Sequence, residues 1–411
     1  MWRRLRLIWT ATAILFCGAA TAETPYRIYI DAEQRFGRAA AEAIRMGITT
    51  ALALDDNRIA GRAVEVVPLD HRGNAKRSLL HLRRYRDDPN AIAMFSGMHS
   101  PPYLRNRAFI NEHGLLLLVP WAAAGPVTRP PGTENFIFRV SIDDTKAGPF
   151  LARDAVQARG CSRTAVLIVD TGWGRYNLGR IQSALQELGQ PAPAIFTFQR
   201  GISDVEGRVM ARDIAASGAD CVVMVSAIAE SVSFVNLLAE FAPHIRISSH
   251  WAVVSSVFID QVPHAARQAV ELQFLHTCFP FDAPPETEFI ATVERTARHL
   301  FGDAFRSFDT LPAAVGFVHA FDATRMLLAA AAQIETAGSI AHIRNRLRFA
   351  LENLDTPVQG LMRIYRRPFR PYGPADPDAH EALGAADLCM VKFGPEDQIL
   401  SVRGRGSRVG R

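Results

Sequence analysis

The chain has 411 residues, 48% of them hydrophobic, and a formal net charge of +5. At about 100–200 residues per domain, that length exceeds what one core supports, so two domains are expected. Arg3, Arg4 and Arg6 carry three of the positive charges within the first 22 residues, and lysine occurs only at Lys76, Lys146 and Lys392, which argues against a phosphate-reading surface and a nucleic-acid partner.

Residues 1–22 join those arginines to an apolar run from Leu7 to Cys17 and to Ala20-Thr21-Ala22, the pattern of a secretory signal cleaved before Glu23. The neighbours of Arg3-Arg4 do not match a twin-arginine signal, and Phe16 beside Cys17 argues against lipidation. The mature chain is expected to be exported. No later apolar stretch reaches the ~20 uninterrupted residues of a membrane span. Cys161, Cys221, Cys278 and Cys389 follow the signal; an even count in an exported chain permits disulfides, but the spacing leaves the pairing open and each is equally compatible with a buried thiol.

In chain order, Tyr26–Ile30 predicts a strand, and Ala40, Ile44, Ile48, Ala51 and Leu52 mark one apolar face of a helix over Gly37–Leu54. Val64–Val67 is the next strand, and Ala75, Leu79 and Leu82 lie on the next helix. The strand Ala91–Phe95 then runs into Ser96-Gly-Met-His-Ser100, with Pro101-Pro102 opening a helix to His113. Ser100 suits a helix N-cap, and proline at the first helical position gives up no hydrogen bond. Leu115–Val119 is a further strand ending at Pro120-Trp121-Ala122-Ala123, so two parallel strand ends open onto one cleft, the usual ligand position in open α/β sheets. This alternation predicts a parallel sheet with helices on both faces.

Phe136–Val140 leads into a polar stretch, Ser141–Thr145, and a second alternation begins: helix 148–159, strand 165–169, helix 176–188, strand 195–198, helix 205–217, strand 221–225, helix 230–241, strand 245–248 and strand 272–275. Phe279–Pro285 reads as a proline-rich linker outside the core. Three helices follow without strands (286–301, 313–336 and 340–354) and require a sheet to cover, for which the first is the available host. Leu361–Tyr365 and Leu388–Phe393 are expected to pair as a hairpin on the second lobe, separated by a long loop, Arg366–Ala386, that could contact the cleft mouth or a membrane partner. Residues 403–411 read as a disordered tail.

Catalytic signatures are missing from the sequence. It has no Gly-x-Gly-x-x-Gly after a strand, no phosphate loop, no Gly-x-Ser-x-Gly elbow, no Cys-x-x-Cys and no His-Glu-x-x-His. The acidic pairs Asp55-Asp56, Asp87-Asp88 and Asp143-Asp144 fall at helix ends or crossovers, where capping and solvation account for them. The expectation is a binding protein without cofactor or metal.

Several segments in this order resemble the type I periplasmic solute-binding proteins of ABC importers, in the Leu/Ile/Val-binding-like branch that takes branched-chain amino acids and amides. They are Gly37…Gly47, Gly61 before the Val64 strand, Asp70, Gly97-x-x-Ser100, Gly114 to Pro120, and Phe138-Arg-Val140 leading to Asp143-Asp144. The second half adds Thr171-Gly-Trp173-Gly174, Gly218-Ala-Asp220 and the helix Phe317–Leu328 with Asp322-Ala323. The resemblance implies an α/β fold of two Rossmann-like lobes with parallel central sheets, joined by three hinge crossovers. It divides the chain into signal 1–22, first lobe 23–140 and 279–358, second lobe 141–278 and 359–402, and tail 403–411. It also implies a periplasmic monomer that closes on a small-molecule ligand and is read by an ABC permease in the inner membrane; a ligand-sensing subunit for a membrane signalling partner is the alternative.

In such proteins the serine of the Gly-x-x-Ser turn and the segment after the Pro-ending strand hold a carboxylate, which implies Ser100, Trp121, Ala122 and Ala123 here; Ala123 lacks the hydroxyl common there. The resemblance further implies Trp173 as an aromatic platform, with Ser226 and Ala227 after one strand and His250 and Trp251 after the next. An ammonium-binding acid is usual at this last place, and this chain has Ser249-His250-Trp251. An ammonium without a compensating group would be costly to bury, so either Trp251 supplies a cation–π surface or the ligand carries no ammonium; the second is the expectation. The ligand is therefore expected to be a carboxylate or amide with an apolar or aromatic body. Each residue also has a bland role: Ser100 as a cap, the tryptophans as packing, and His99 and His250 as ordinary hydrogen-bonding groups. Phe36 and Tyr103 are further candidates for the mouth.

Overall fold

The computed structural model describes residues 23–35, 37–281 and 287–402. The signal of residues 1–22, Phe36, most of the proline-rich linker and the tail 403–411 lie outside the described residues.

The first half alternates as its apolar spacing predicts: β1 (Tyr26–Ala32), α1 (Arg38–Ala53), the two-residue β2 (Arg58–Ile59), β3 (Arg62–Asp70), α2 (Ala75–Asp87), β4 (Ala91–Ser96), α3 (Ser100–Glu112), β5 (Leu117–Val119) and β6 (Ile137–Arg139). The sheet order is β2-β3-β1-β4-β5-β6. All its pairings are parallel except the β2–β3 hairpin. β4 and β5 are buried throughout, as uninterrupted apolar runs should be when helices cover both faces.

The chain then crosses to a second sheet through α4 (Asp144–Arg153), whose N-cap Asp143 accepts from the Thr145 amide. There follow β7 (Thr164–Val169), α5 (Gly172–Glu187), β8 (Ala194–Phe198), α6 (Asp204–Ala216), β9 (Cys221–Val225), α7 (Ile228–Phe241), β10 (Arg246–Ser249), the short α8 (Ser256–Gln261) and α9 (His264–Ala269), and β11 (Gln273–Thr277). Next come α10 (Glu288–Phe301), α11 (Ala314–Ala332), α12 (Ile340–Glu352), a small hairpin of β12 (Val358–Gln359) and β13 (Ile364–Tyr365), and finally β14 (Leu388–Phe393) and β15 (Ile399–Ser401). The second sheet runs β15-β14-β11-β10-β9-β7-β8, parallel except that β14 is antiparallel to both of its neighbours, β11 and β15. Passages after β6, after β11 and before β14 join the two lobes.

Helices α10 and α11 pack on α1, and α12 packs on α11 and β4, so all three belong to the first lobe. α11 is apolar and long enough to cross a membrane by length and composition, yet most of it is buried. Its closest approach is to α1 at Gly47, where a Cβ would stand 2.3 Å from the Phe317 carbonyl oxygen; only glycine admits that contact.

Three expectations change. Leu388–Phe393 does not pair with Leu361–Tyr365: β14 turns back on β15, and β13 pairs with β12. Asp322, inside α11, draws the small hairpin onto the first lobe by accepting from the Leu361 and Met362 amides and the Tyr365 hydroxyl. Phe279 and Phe281 are buried rather than linker, stacking edge-on with each other and with Phe308 and His276. The loop Arg366–Ala386 contributes no residue to the cleft wall. It runs along the open edge of β6, where the Arg139 amide donates to the His380 carbonyl and the Ala382 amide to the Arg139 carbonyl. Residues 380–382 thus lie against β6. The cysteines pair as Cys161–Cys221 and Cys278–Cys389.

Candidate functional site

Both sheets place their first-formed strand between later ones: β3-β1-β4-β5-β6 in one lobe and β8-β7-β9-β10-β11 in the other. Open α/β sheets of this order bind ligands outside the strands' carboxyl ends, at the point where the order reverses. The two reversal points face each other across a cleft of about 820 Å³ whose walls are the loops after β1, β3, β4 and β5 on one side and after β7, β8, β9 and β10 on the other.

On the first lobe, Gly97 brings the turn after β4 against β1: a Cβ there would stand 2.8 Å from the Ala32 Cα. Its amide donates to the Asp31 carbonyl and to the Tyr103 hydroxyl. Tyr103 passes its own proton to the same carbonyl and is fully buried beneath the turn; burial pushes its hydroxyl well above the ordinary value. Ser100 is the first residue of α3 rather than its cap, a position taken by His99 without a side-chain bond. The Ser100 Oγ accepts from the Ala124 amide at 3.0 Å, so its own proton is the group it has to donate. Glu33 and Asp70 also line this wall, but backbone amides engage both carboxylates: Arg35 and Gly37 on Glu33, Gln34 and Arg72 on Asp70. Arg35 and Arg72 lie beside them.

On the second lobe, Thr171 caps α5 by accepting from the Gly174 amide and presents Trp173 in the first turn. The loop after β9 places Ser226, Ala227 and the first turn of α7 in the wall, and the loop after β10 supplies Trp251 and Ala252. Trp251 stacks on Trp121 from the first lobe, ring centroids 5.3 Å apart at 46°. Behind this aromatic bridge His319 donates from Nδ1 to the Pro120 carbonyl at 3.0 Å and accepts at Nε2 from the Thr277 hydroxyl at 3.1 Å. Complete burial pushes His319 down to about 3 and neighbouring His276 down to about 4.

The sequence matches the periplasmic binding protein family model over residues 32–372. The chain belongs to the periplasmic binding protein family. Its members are solute-binding proteins rather than enzymes. Membership implies a periplasmic or extracellular location. Solved structures agree on the fold. The leucine-binding protein LivK from Thermotoga maritima MSB8 is 18% identical with a TM-score of 0.72, covering 92% of this chain and 98% of that one. A solute-binding protein of an ABC transporter from R. palustris, in complex with benzoate, is 14% identical with a TM-score of 0.69 over 93% and 98%. Another from R. palustris, in complex with 4-hydroxybenzoate, is 15% identical with a TM-score of 0.72 over 93% and 96%. No curated protein matches the sequence significantly.

Of the residues expected in the binding protein's site, Ser100, Trp121, Ala123, Trp173, Ser226, Ala227 and Trp251 line the cleft. Ala122 and His250 do not. Ala122 is buried with its carbonyl accepting from Arg139. His250 turns toward the first crossover: its Nδ1 accepts from the Trp251 amide at 3.0 Å, leaving the proton on Nε2 to donate to Asp144 at 2.8 Å. It is thus an anchor for Trp251, edge-on to Trp173 at 5.2 Å, and no polar handle for ligand. Tyr103 supports the turn and is absent from the wall, whereas His99 is in it.

Sequence reading missed the charged wall residues: Glu33, Arg35, Asp70, Arg72, Arg200 and Glu230. Asp70 ends β3 and the others except Glu230 fall in the loops that follow β1, β3 and β8, where a rule that inspects every strand's carboxyl end would have found them. Glu230 is one helical turn past Ser226-Ala227, within the same strand-end loop and helix start that had been singled out.

Proposed function

We propose that this protein is the periplasmic substrate-binding component of an ABC importer, exported by its signal of residues 1–22, that takes a small organic acid or amide with an apolar or aromatic body into the cleft. Lobe closure on that ligand would be the state presented to the inner-membrane permease. A ligand that touches both rims favours the closed form by its differential affinity for it.

One observation carries this reading: the Trp121–Trp251 bridge, one ring from each lobe, flanked by the Ser100 hydroxyl. An aromatic or aliphatic body packs on the indoles while Ser100 and neighbouring donors take the oxygen. The known complexes of the fold with benzoate and 4-hydroxybenzoate support such a ligand. The strand-end position after β10 holds His250 and Trp251 in place of an acid, which supports a ligand other than a standard branched-chain amino acid. A thermal-shift screen of aromatic carboxylates, aliphatic carboxylates and amides tests the proposal. Ligand at 100 times its Kd adds ~2.7 kcal/mol of stability, so members of the favoured class raise Tm by several degrees; no response to any of the three classes would overturn it.

A further inference from the structure

Glu230 is a carboxylate with unmet needs. It lies in the first turn of α7, is 5% exposed, and lines the cleft. Its Oε1 accepts from the Gly201 amide at 2.8 Å, and its Oε2 has no partner among the described residues. No arginine or lysine among them pairs with it; Arg200, its neighbour in the wall, is exposed at the mouth and makes no ion pair with it. It sits in the first turn of α7, so a carboxylate already occupies the helix end that would otherwise attract a ligand anion. Its Oε2 is left for a donor that enters the cleft.

The adjacent serine has the same polarity. Ser231 Oγ lies 2.6 Å from Ser226 Oγ and 2.9 Å from the Ala227 carbonyl. When Ser231 donates to that carbonyl, Ser226 donates to Ser231 and faces the cleft with lone pairs. Ser100 on the opposite wall has the reverse arrangement, its lone pair engaged by the Ala124 amide and its proton available. The cleft is therefore polarised, with a donor on the first lobe and acceptors on the second.

Resting on the ligand-binding role proposed above, we infer that Glu230 with Ser226 forms a donor-reading subsite, and that the ligand is an aromatic carboxylate bearing an ammonium, amino or hydroxyl group at the end remote from its carboxylate. The carboxylate goes to Ser100, the ring to the tryptophans, and the N–H or O–H to Glu230 Oε2. A ligand anionic at both ends would meet Glu230 with like charge and is disfavoured.

Intrinsic tryptophan fluorescence or calorimetric titration with benzoate, 4-hydroxybenzoate and 4-(aminomethyl)benzoate separates the two claims. The wild-type protein is expected to bind the two donor-bearing probes at least tenfold more tightly than benzoate. Glu230→Gln retains an acceptor for the Gly201 amide; it is expected to weaken the aminomethyl probe at least tenfold while leaving benzoate within about threefold. Equal losses for all three probes would assign Glu230 a structural role and overturn the inference, as would wild-type affinities that do not distinguish the probes; both leave the cleft's role as an organic-acid site standing. If the wild-type protein binds none of the three nor any other organic acid or amide, the proposed function falls and the inference with it.

Discussion

Arg139 and Glu381 are 242 positions apart in the chain and form a two-pronged ion pair in the interior, Nε to Oε2 at 2.8 Å and Nη2 to Oε1 at 2.7 Å. Both side chains are essentially inaccessible. Arg139 ends β6 and also donates to the carbonyls of Ala122 and Ala124. Around the pair, Arg129 bridges Asp143 and Asp378, and Lys146 of α4 reaches the same two carboxylates. The long loop before β14 is thereby fastened to the first lobe, to the first crossover and to the first helix of the second lobe.

Removing one member of a fully buried pair leaves an uncompensated charge and costs about 3–5 kcal/mol, whereas replacing both by apolar groups costs far less. Glu381→Ala is therefore expected to destabilise the protein by that amount in urea unfolding, and Arg139→Met with Glu381→Leu by clearly less. A single-site cost under about 1 kcal/mol would show that the loop is not held by this pair. The neighbouring cations hold the Asp143 carboxyl well below its ordinary value of 3.8 against the cost of its burial; its stabilising contribution is present above about pH 4 and is lost as pH falls below it.

The pH dependence of stability has two opposed parts. Burial pushes Asp322 up to about 7 from 3.8, so the folded state binds a proton that the unfolded chain has released, and stability falls as pH rises from about 4 to 7. Burial pushes His276 and His319 down to about 4 and about 3 from 6.5; the unfolded chain then binds the extra protons, and stability falls as pH drops below about 6.5. Asp322→Asn is expected to steepen the loss on the acid side and His319→Asn to flatten it. Thermal denaturation measured across pH 4–7 gives both slopes, and unchanged slopes in the two variants would contradict these assignments.

Trp251 and Ser100 occupy different parts of the cleft, and the expected losses differ accordingly. Trp251→Ala removes one ring of the interlobe stack; an aromatic pair is worth ~0.5–1.5 kcal/mol beyond its buried area, so ligand affinity should fall tenfold or more, with some loss of stability. Ser100→Ala removes one neutral hydrogen bond to ligand, worth ~0.5–1.5 kcal/mol, and should weaken binding by about three- to tenfold with circular dichroism unchanged. Full affinity in both variants would remove the ligand from this place.

The disulfides close loops of 60 and 111 residues. Each is expected to contribute about 2–4 kcal/mol, chiefly through the unfolded chain. Reduction should lower Tm markedly while ligand affinity at 25 °C, measured on the still-folded protein, stays near the oxidised value, because neither bridge touches the cleft wall. A reduced protein that melts like the oxidised one would contradict the pairing.

The fold was legible because its carriers are local. Uninterrupted apolar runs such as Ile92–Phe95 and Leu115–Val119 become doubly covered strands, and one-sided spacing such as Ile44, Ile48 and Leu52 becomes the buried face of α1. The wall residues found in advance, Ser100, Trp121, Trp173, Ser226 and Trp251, follow directly from strand ends. What escaped depends on long-range partners. His250 precedes Trp251 in a cleft-facing loop, yet Asp144, 106 positions earlier, turns it toward the hinge. The place of the 366–386 loop was not legible because its stabilising partners, Arg129, Arg139 and Lys146, are more than two hundred positions away. β15 is only three residues long, too short for a periodic signal, and without it β14 was matched to the wrong partner. Glu33 and Arg35 follow the end of β1 and share the strand-end signal, whereas Glu230 lies a turn into α7, where its charge alone does not separate a cleft wall from a solvated surface.

Calorimetric titration of the purified, refolded and ligand-free protein with 4-hydroxybenzoate and, separately, leucine addresses the central claim most directly. Saturable one-to-one binding of the aromatic acid, weakened at least tenfold by Trp251→Ala, with leucine weak or silent, is the predicted result. Tight leucine binding together with no heat from any aromatic carboxylate would contradict it.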